Sequence, residues 1–503
     1  MNRKWWTLVV VCLATFMLLL DVTIVMVALP DMERDLGASF TQLQWITDAY
    51  ALSLASLLLT SGSLSDRFGR RLVFAIGLVV FTGGSVLCGA ATSPDMLIGS
   101  RAAQGIGGAM LFATSLAILA ATFTDRRDRG IAFGVWGAIT GIATAVGPIL
   151  GGAITTGISW RGIFYVNLPV GVIALVLTFL AMPESKAPQA RRVDWAGMLT
   201  FTGGLFALVY GVTRAGESSW SDSTAIWCFV VAAVLLIGFA LLEWRVRQPM
   251  LDLDLFRVPT FLGGSVAAFC MNGSFFAMML YLVLYLQNEL GYSALDAGVR
   301  LLVFSGVTMI VATVAGRLTA KLPARAMIGP GLILVGAGLL SMLGLDEHST
   351  WTHLIAGFIV AGVGAGLVNP PLASTAVGVV PVARSGMASG VNNTFRQVGI
   401  AVGIAVYGTV FSSSIVRGLR SRLSGDAADG VDLHAVAQAV TGGEQARVIA
   451  EAPAQHRAEL GDAIGTAFTD GMNELFLISG IVAIVGGAAA LLLIRTQDFV
   501  QAE

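Results

Sequence analysis

The sequence predicts an all-α polytopic membrane protein with fourteen transmembrane helices, arranged as two pseudo-symmetric six-helix bundles plus two inserted helices. Three observations carry that expectation: a composition starved of charge, fourteen apolar stretches of membrane-crossing length, and a repeat relating the first part of the chain to the last. The 503 residues are 56% hydrophobic and 12% charged, with a net charge of −1 and a mean hydropathy of +0.80. Soluble domains carry roughly 25% charged residues, so a soluble globular protein, a disordered chain and a nucleic-acid binder are all excluded. Many of the 60 glycines fall inside apolar runs, as in membrane helices.

A helix needs about 17–25 largely apolar residues to cross the hydrocarbon core. That length predicts spans near 6–30, 43–64, 72–91, 97–121, 131–157, 163–182 and 195–213, and then 224–242, 260–287, 295–316, 327–345, 352–377, 389–412 and 470–494. The first follows Asn2-Arg3-Lys4 but continues past Asp21 to Pro30 without a cleavage site, so it is expected to stay in the mature chain. Orientation follows from the cations. With the N-terminus cytoplasmic, nineteen of the thirty Lys and Arg fall in inside loops and tails, and four in outside loops or span edges. The positive-inside rule then predicts a multi-pass protein of the cell membrane with both termini cytoplasmic. The polar segment 413–469 is expected outside, as a solvated cap or loop in which His434 to Val440 has the pattern of a short helix. Four cysteines lie in apolar runs and four histidines outside them, a distribution that suits neither a disulfide framework nor a metal site.

The repeat sets the domain organisation. Gly62-Ser-Leu-Ser-Asp-Arg-Phe-Gly-Arg-Arg71 aligns with Gly316-Arg-Leu-Thr-Ala-Lys-Leu-Pro-Ala-Arg325 at an offset of 254 residues. Gly105 aligns with Gly362 at 257, and Gly134-Val135 with Gly390-Val391 at 256. Residues 1–182 and 259–503 are therefore expected as two copies of one bundle, joined by 183–258 with two inserted helices. The second copy has Ala320 and Pro323 in place of Asp66 and Gly69.

These residues carry a resemblance to the major facilitator superfamily. Gly62 to Arg71 resembles its cytoplasmic signature between helices 2 and 3. Arg101-Ala-Ala-Gln-Gly-Ile-Gly-Gly108 is similar to its helix-4 motif, and Gly147-Pro148-Ile-Leu-Gly151-Gly152 to the helix-5 motif of exporters. The run Leu20-Asp21 to Pro30, with Met26 where the motif has Asn, and the span count are similar to the fourteen-helix drug/proton antiporter branch. The resemblance implies a cytoplasmic gate made by Gly62, Asp66, Arg67, Gly69, Arg70 and Arg71. It also implies a hinge and seal on a helix-5 stripe of small residues, Gly137, Gly141, Ala145, Pro148 and Gly152, at intervals of 4, 4, 3 and 4; by spacing alone that stripe is equally generic close packing.

Ionisable groups inside a membrane are functional hypotheses by default. At 1.5 Å per residue, Asp21 lies about 22 Å beyond Trp6, Asp48 about 8 Å below the outer boundary and Arg101 about 6 Å below Leu97. All three are candidates for one proton-coupling site. Burial favours a neutral carboxyl and a nearby Arg favours a charged one, so moving the Arg or admitting a cation toggles the proton. The alternatives are a hydrated interfacial position for Asp21, an interfacial belt for Asp48 beside Trp45 and Tyr50, and outward snorkelling for Arg101.

Two groups are candidates for substrate contact. Met271, Asn272, Phe275, Phe276 and Met279 suit a promiscuous pocket, since Met repacks and aromatic faces attract cations; the same residues suit a lipid-facing helix. Asn392, Asn393, Arg396 and Gln397 form a polar cluster early in span 13, suited either to substrate or to interhelical hydrogen bonds. The sequence contains no Gly-x-x-x-x-Gly-Lys-Ser/Thr motif, so no nucleotide cofactor is expected and energy would come from the proton gradient. The expected function is a non-enzymatic, proton-coupled antiporter exporting amphipathic or cationic small molecules by rocker-switch alternating access. Its partners are then the substrate, protons and the bilayer, and it acts as a monomer. An exporter of an endogenous lipid or secondary metabolite, and an uptake symporter, are the alternatives.

Overall fold

A computed structural model describes residues 3–186, 194–217, 220–246, 249–319, 321–422, 433–443, 445–452 and 456–500. Arg191, Arg192 and Arg247 of the cation count, and Ala320 of the repeat, lie outside these residues. So do the side chains of Ala145 and Pro148 on the small-residue stripe.

Every regular element among the described residues is helical. α1 (Arg3–Leu36), α2 (Phe40–Phe68), α3 (Arg70–Gly89), α4 (Pro94–Thr122) and α5 (Arg126–Gly157) follow one another through short turns. The turns are polar because helix ends leave backbone donors unpaired. Ser39 and Gln42 form a reciprocal capping box at the start of α2, Ser93 caps α4 ahead of Pro94, and Asp125 caps α5. α6 (Gly162–Tyr165) and α7 (Asn167–Ala181) together make the sixth expected span. α8 (Trp195–Glu217) and α9 (Ser223–Arg245) form a hairpin in which α8 packs on α2 and on the later α15 (Ser385–Arg422).

α10 (Pro259–Met271) passes through a π-helical turn, Asn272–Phe276, into α11 (Ala277–Leu284) and ends in a second such turn, Tyr285–Glu289. α12 (Ala294–Leu318), α13 (Arg325–Leu340) and α14 (Ile355–Gly378) follow. Among the described residues eleven helical runs are long and apolar enough to cross a membrane, and α13, with 16 residues, is a shorter apolar helix. α2 and α5, 29 and 32 residues long, occupy two further expected spans. Large apolar side chains stand exposed along α7 and α9, among them Val172, Val176, Leu180, Val234, Ile237 and Leu241. Helices of such composition are stable in hydrocarbon, where this exposure costs nothing.

The segment 413–469 differs from the expected loop. α15 runs to Arg422, and α18 (Arg457–Leu493) begins well before the expected span, with α16 (Leu433–Thr441) and α17 (Gln445–Glu451) between them. The reason is an apolar seam that continues past the membrane-length stretch: Ile415 and Leu419 pack with Ile464 and Phe468 in one buried cluster. On the outer face Arg417 pairs with Glu474 at 2.7 Å and Arg422 with Asp470 at 2.9 Å. Charge on one face lowered the apparent hydropathy without ending the helices.

Within residues 1–182, α4 packs on α2 and α3, and α1 on α5 and α7. Within 259–503, α14 packs on α12 and α13, and α18 on α13, α10 and α15. Contacts between these two sets run chiefly through α2 with α15 and α5 with α12, and also through α4 with α15 and α5 with α14. Glycines permit both. A Cβ on Gly62 would lie 2.2 Å from the Gly386 carbonyl oxygen, and one on Gly316 would lie 2.6 Å from that of Gly130.

Candidate functional site

The buried charge network begins on α1. Asp21 is fully buried, and Arg101 on α4 is 2% exposed; the two form a direct ion pair. A charge removed from water needs both a counter-charge and its remaining hydrogen bonds. Both are present. The Asp21 Oδ1 atom accepts from Gln104 Nε2 at 2.8 Å and from Asn167 Nδ2 at 3.1 Å. Arg101 Nη1 also donates to Gln104 Oε1 at 2.8 Å, and its Nε to the Ile46 carbonyl at 3.1 Å. The guanidinium lies over the Tyr50 ring, 4.2 Å from the centroid, which adds a cation–π contact. Ser85 closes the circuit: it accepts from Gln104 and Asn167 at 3.2 and 2.9 Å and donates to the Phe164 carbonyl at 3.0 Å.

Six helices, α1, α2, α3, α4, α6 and α7, thus supply one network, α2 through Tyr50 and the Ile46 carbonyl. The sequence-predicted Asp21 and Arg101 meet in it. Asp48 lies half-buried on α2, two residues before Tyr50. Gln104 and Asn167 escaped the sequence reading, because neutral polar residues in an apolar helix carry no charge signal. Gln104 sits one turn after Arg101, and that i, i+3 spacing was the available clue. Chemically, the network sets the Asp21 carboxylate against one guanidinium on α4 and two amide donors, on α4 and α7.

The Gly62–Arg71 motif forms a second site where α2 ends. The Asp66 Oδ1 atom accepts from Arg70 Nη2 at 2.7 Å and Nε at 3.1 Å. Its carboxylate also accepts from the backbone N–H groups of Gly386 and Met387, each at 2.9 Å. Those two residues open α15, so Asp66 caps a helix N-terminus from another part of the chain. Arg70 donates onward to the Val382 carbonyl. Gly69 has φ +118°, and a Cβ there would lie 2.6 Å from the Glu184 carboxyl carbon, a place only glycine fills without strain. Glu184 in turn accepts from the Arg71 and Leu72 N–H groups at 3.0 and 3.2 Å. Arg67 lies over the Phe68 ring.

The α5 glycines divide. Gly147 and Gly151 face α1: a Cβ would lie 1.8 Å from Thr23 Oγ1 and 3.0 Å from Ile24, respectively. Gly137 and Gly141 are in ordinary contact, 3.5 Å, with Pro370 on α14 and Thr308 on α12, and Gly152 has open space. The stripe read from spacing thus meets α14 and α12 through Gly137 and Gly141, and Gly147 and Gly151 lie off it. The tightest approach is on the α1 side, because periodicity identifies a helix face and not its neighbour.

Of the substrate candidates, Met271 and Phe275 are fully buried, and Phe275 stacks on Phe304 at 4.0 Å. Asn272 donates back to the Ala268 carbonyl at 2.8 Å inside the π-helical turn, while Phe276 and Met279 pack at the edge of the same cluster. Asn393 Nδ2 donates to the Phe112 carbonyl on α4 at 3.1 Å. Arg396 donates to Asn392 and Asn369. Gln397 is half-buried.

Comparison with known proteins bears on this geometry. The Major Facilitator Superfamily model matches residues 11–404. The chain is 37% identical to the Multidrug resistance protein Stp of Mycobacterium tuberculosis (strain CDC 1551 / Oshkosh), over 88% of this chain and 82% of that protein. It is 31% identical to the Tetracenomycin C resistance and export protein of Streptomyces glaucescens, over 97% of this chain and 91% of that one. It is also 31% identical to the Multidrug efflux pump LfrA of Mycolicibacterium smegmatis, over 97% and 95%. Among solved structures, the human organic anion transporter MFSD10 (TETRAN) is similar with a TM-score of 0.61 and 16% identity, covering 96% of this chain and 100% of that one. That likeness is one of fold.

Proposed function

This chain belongs to the major facilitator superfamily, and from that premise we propose that it is a proton-coupled antiporter exporting drugs or related amphipathic small molecules, cationic ones among them. The observation that carries the reading is the fully buried Asp21 carboxylate held by Arg101, Gln104 and Asn167. A carboxylate that releases its proton when Arg101 approaches, and takes one up when Arg101 withdraws, converts a helix movement into proton transfer. Alternating access supplies the movement. The relatives named for drug resistance and efflux support export; the relative named for tetracenomycin C export favours a secondary metabolite as a second substrate reading.

In this proposal fourteen helices span the cell membrane, with α2, α5 and α13 joining the eleven apolar runs, and both termini lie in the cytoplasm. Residues 1–182 and 259–503 are the two six-helix units, and 183–258 carries the inserted pair. The reciprocal contacts of Gly62 with Gly386 and Gly316 with Gly130 support a two-fold relation, since Gly62 and Gly316 are equivalent in the repeat. Asp66, Arg70 and the start of α15 then act as the cytoplasmic gate, closed in this conformation. The chain acts as a monomer, catalyses no covalent chemistry and uses no cofactor beyond the proton gradient.

The test is accumulation of a fluorescent amphipathic dye in energised inverted vesicles. Accumulation that disappears when the pH gradient is collapsed supports antiport; accumulation that persists contradicts it.

A further inference from the structure

Among the described residues Arg396 is a buried cation without a counter-charge. It lies in the first third of α15 and is 4% exposed. Its Nε donates to Asn392 Oδ1 at 3.2 Å and its Nη1 to Asn369 Oδ1 at 3.3 Å. Its Nη2 has no hydrogen-bond partner among the described residues. Among the described residues, Arg70 and Arg101 are the other buried arginines, and each has its aspartate. Arg396 has two asparagine amides, which accept hydrogen bonds but neutralise nothing. A guanidinium has five N–H donors and stays protonated in proteins, so three donors and the whole charge stand unmet.

The position of the group matters as much as its charge. Asn393, one turn before Arg396, bonds the Phe112 carbonyl of α4, and its own Oδ1 lacks a partner. Asn369 lies beside Pro370 where α14 faces α5, 3.6 Å from where a Cβ on Gly137 would stand. The shell around Arg396 therefore joins α14 and α15 to α4 and α5, where the two parts of the chain face each other. An alternating-access protein exposes that seam to each side in turn. The free edge of a guanidinium is a planar fork that matches a carboxylate in two parallel hydrogen bonds.

We propose that Arg396 binds an anionic group, a carboxylate or an acid of similar shape, on the amphipathic molecules this protein carries. The inference rests on the transport reading and narrows its substrate class. A cationic group finds no such counter-charge at this seam: Asp21 and Asp66 are already paired with Arg101 and Arg70, and the other buried carboxylate among the described residues, Glu243, stands at the end of α9 beside Gly197 of α8. An acid that reaches this seam when it opens meets the unpartnered Nη2 edge of Arg396 with no protein carboxylate to displace.

The experiment is equilibrium binding to the purified full-length protein, with no gradient, read by energy transfer from tryptophan to pyrene. The probes are 1-pyrenebutanoate and its methyl ester, which share apolar body and shape. Wild type is expected to bind the acid about tenfold or more tightly than the ester, as a charge-assisted bidentate pair implies. Arg396→Gln should bring that ratio to near one, and Arg396→Lys should keep part of it. Equal binding of acid and ester by wild type, or an unchanged ratio in Arg396→Gln, overturns the proposal. Should Arg396→Gln fail to fold, the wild-type ratio and the Arg396→Lys ratio decide. Sulfate that displaces the acid at concentrations where it leaves ester binding unchanged, with an affinity matching the acid's, reassigns the site to inorganic anions and also overturns it. Because binding is measured without a gradient, an intact acid preference alongside absent gradient-driven export sinks the transport proposal alone.

Discussion

The backbones of Gly62 and Gly386 touch so closely that a single methyl group on Gly62 would begin 2.2 Å from the Gly386 carbonyl oxygen. Backbone cannot swing aside as a side chain can, so Gly62→Ala must separate α2 from α15. The cost is roughly 1–3 kcal/mol against the joined conformation, the usual range for overpacking. Gly316→Ala should behave alike, since its Cβ would meet Gly130 at 2.6 Å. Both variants are expected to slow dye efflux about tenfold relative to their surface expression, by the same energetic range. Gly238→Ala, with open space at its Cβ, should leave the rate unchanged.

Asp66 predicts the stability of the same junction. Asp66→Ala leaves Arg70 buried without its anion and the Gly386 and Met387 N–H groups without their acceptor. Removing one partner of a buried pair costs roughly 3–5 kcal/mol. Backbone amide exchange at the start of α15 should accelerate strongly, and Asp66→Asn should fall between the variant and wild type. Unchanged exchange in Asp66→Ala would show that the junction is held elsewhere.

Gln104 and Asn167 each donate to the Asp21 carboxylate. A hydrogen bond to a charged group is worth roughly 1.5–3 kcal/mol, so Gln104→Ala and Asn167→Ala should each lower thermal stability measurably. Their effects should not add, because both act on Asp21 Oδ1 and share Ser85. A double variant whose loss equals the sum of the single losses would contradict the network.

Asp35 links the far end of α1 to the turn before α6. Hydrogen bonds from Arg161 and Trp160 hold its carboxyl below the usual range. A carboxyl lowered in the folded state stabilises above its unfolded titration and loses that contribution as pH falls. The gap in unfolding temperature between wild type and Asp35→Asn should therefore be small but constant from neutral pH to about 5, and close as the solution is acidified below about 4, the ordinary aspartate range. A gap that grows on acidification would reverse the sign and refute the assignment.

How much was legible in the sequence follows from what each feature costs. Membrane-length apolar runs announce themselves, since backbone in hydrocarbon must be helical, and α1, α3, α4 and α9 lie close to where spacing predicts them. Asp21 and Arg101 were recoverable because an embedded charge demands a partner. Gln104 and Asn167 were not, because their importance comes only from what they touch. The extensions of α15 and α18 were obscured by charged residues on one face of an otherwise apolar pairing. The contacts of Gly147 and Gly151 with α1, and the missing partner of Arg396, depend on neighbours distant in the chain, which spacing within one helix does not reveal.

The central claim is that Asp21 couples proton movement to export, and exchange in proteoliposomes tests it most directly. With Asp21→Asn, accumulation of dye driven by a pH gradient should be lost, while exchange of labelled for unlabelled dye at equal pH continues, because the neutral amide keeps the shape of the carboxylate and removes only its proton chemistry. Gradient-driven accumulation at the wild-type level in Asp21→Asn would contradict the account.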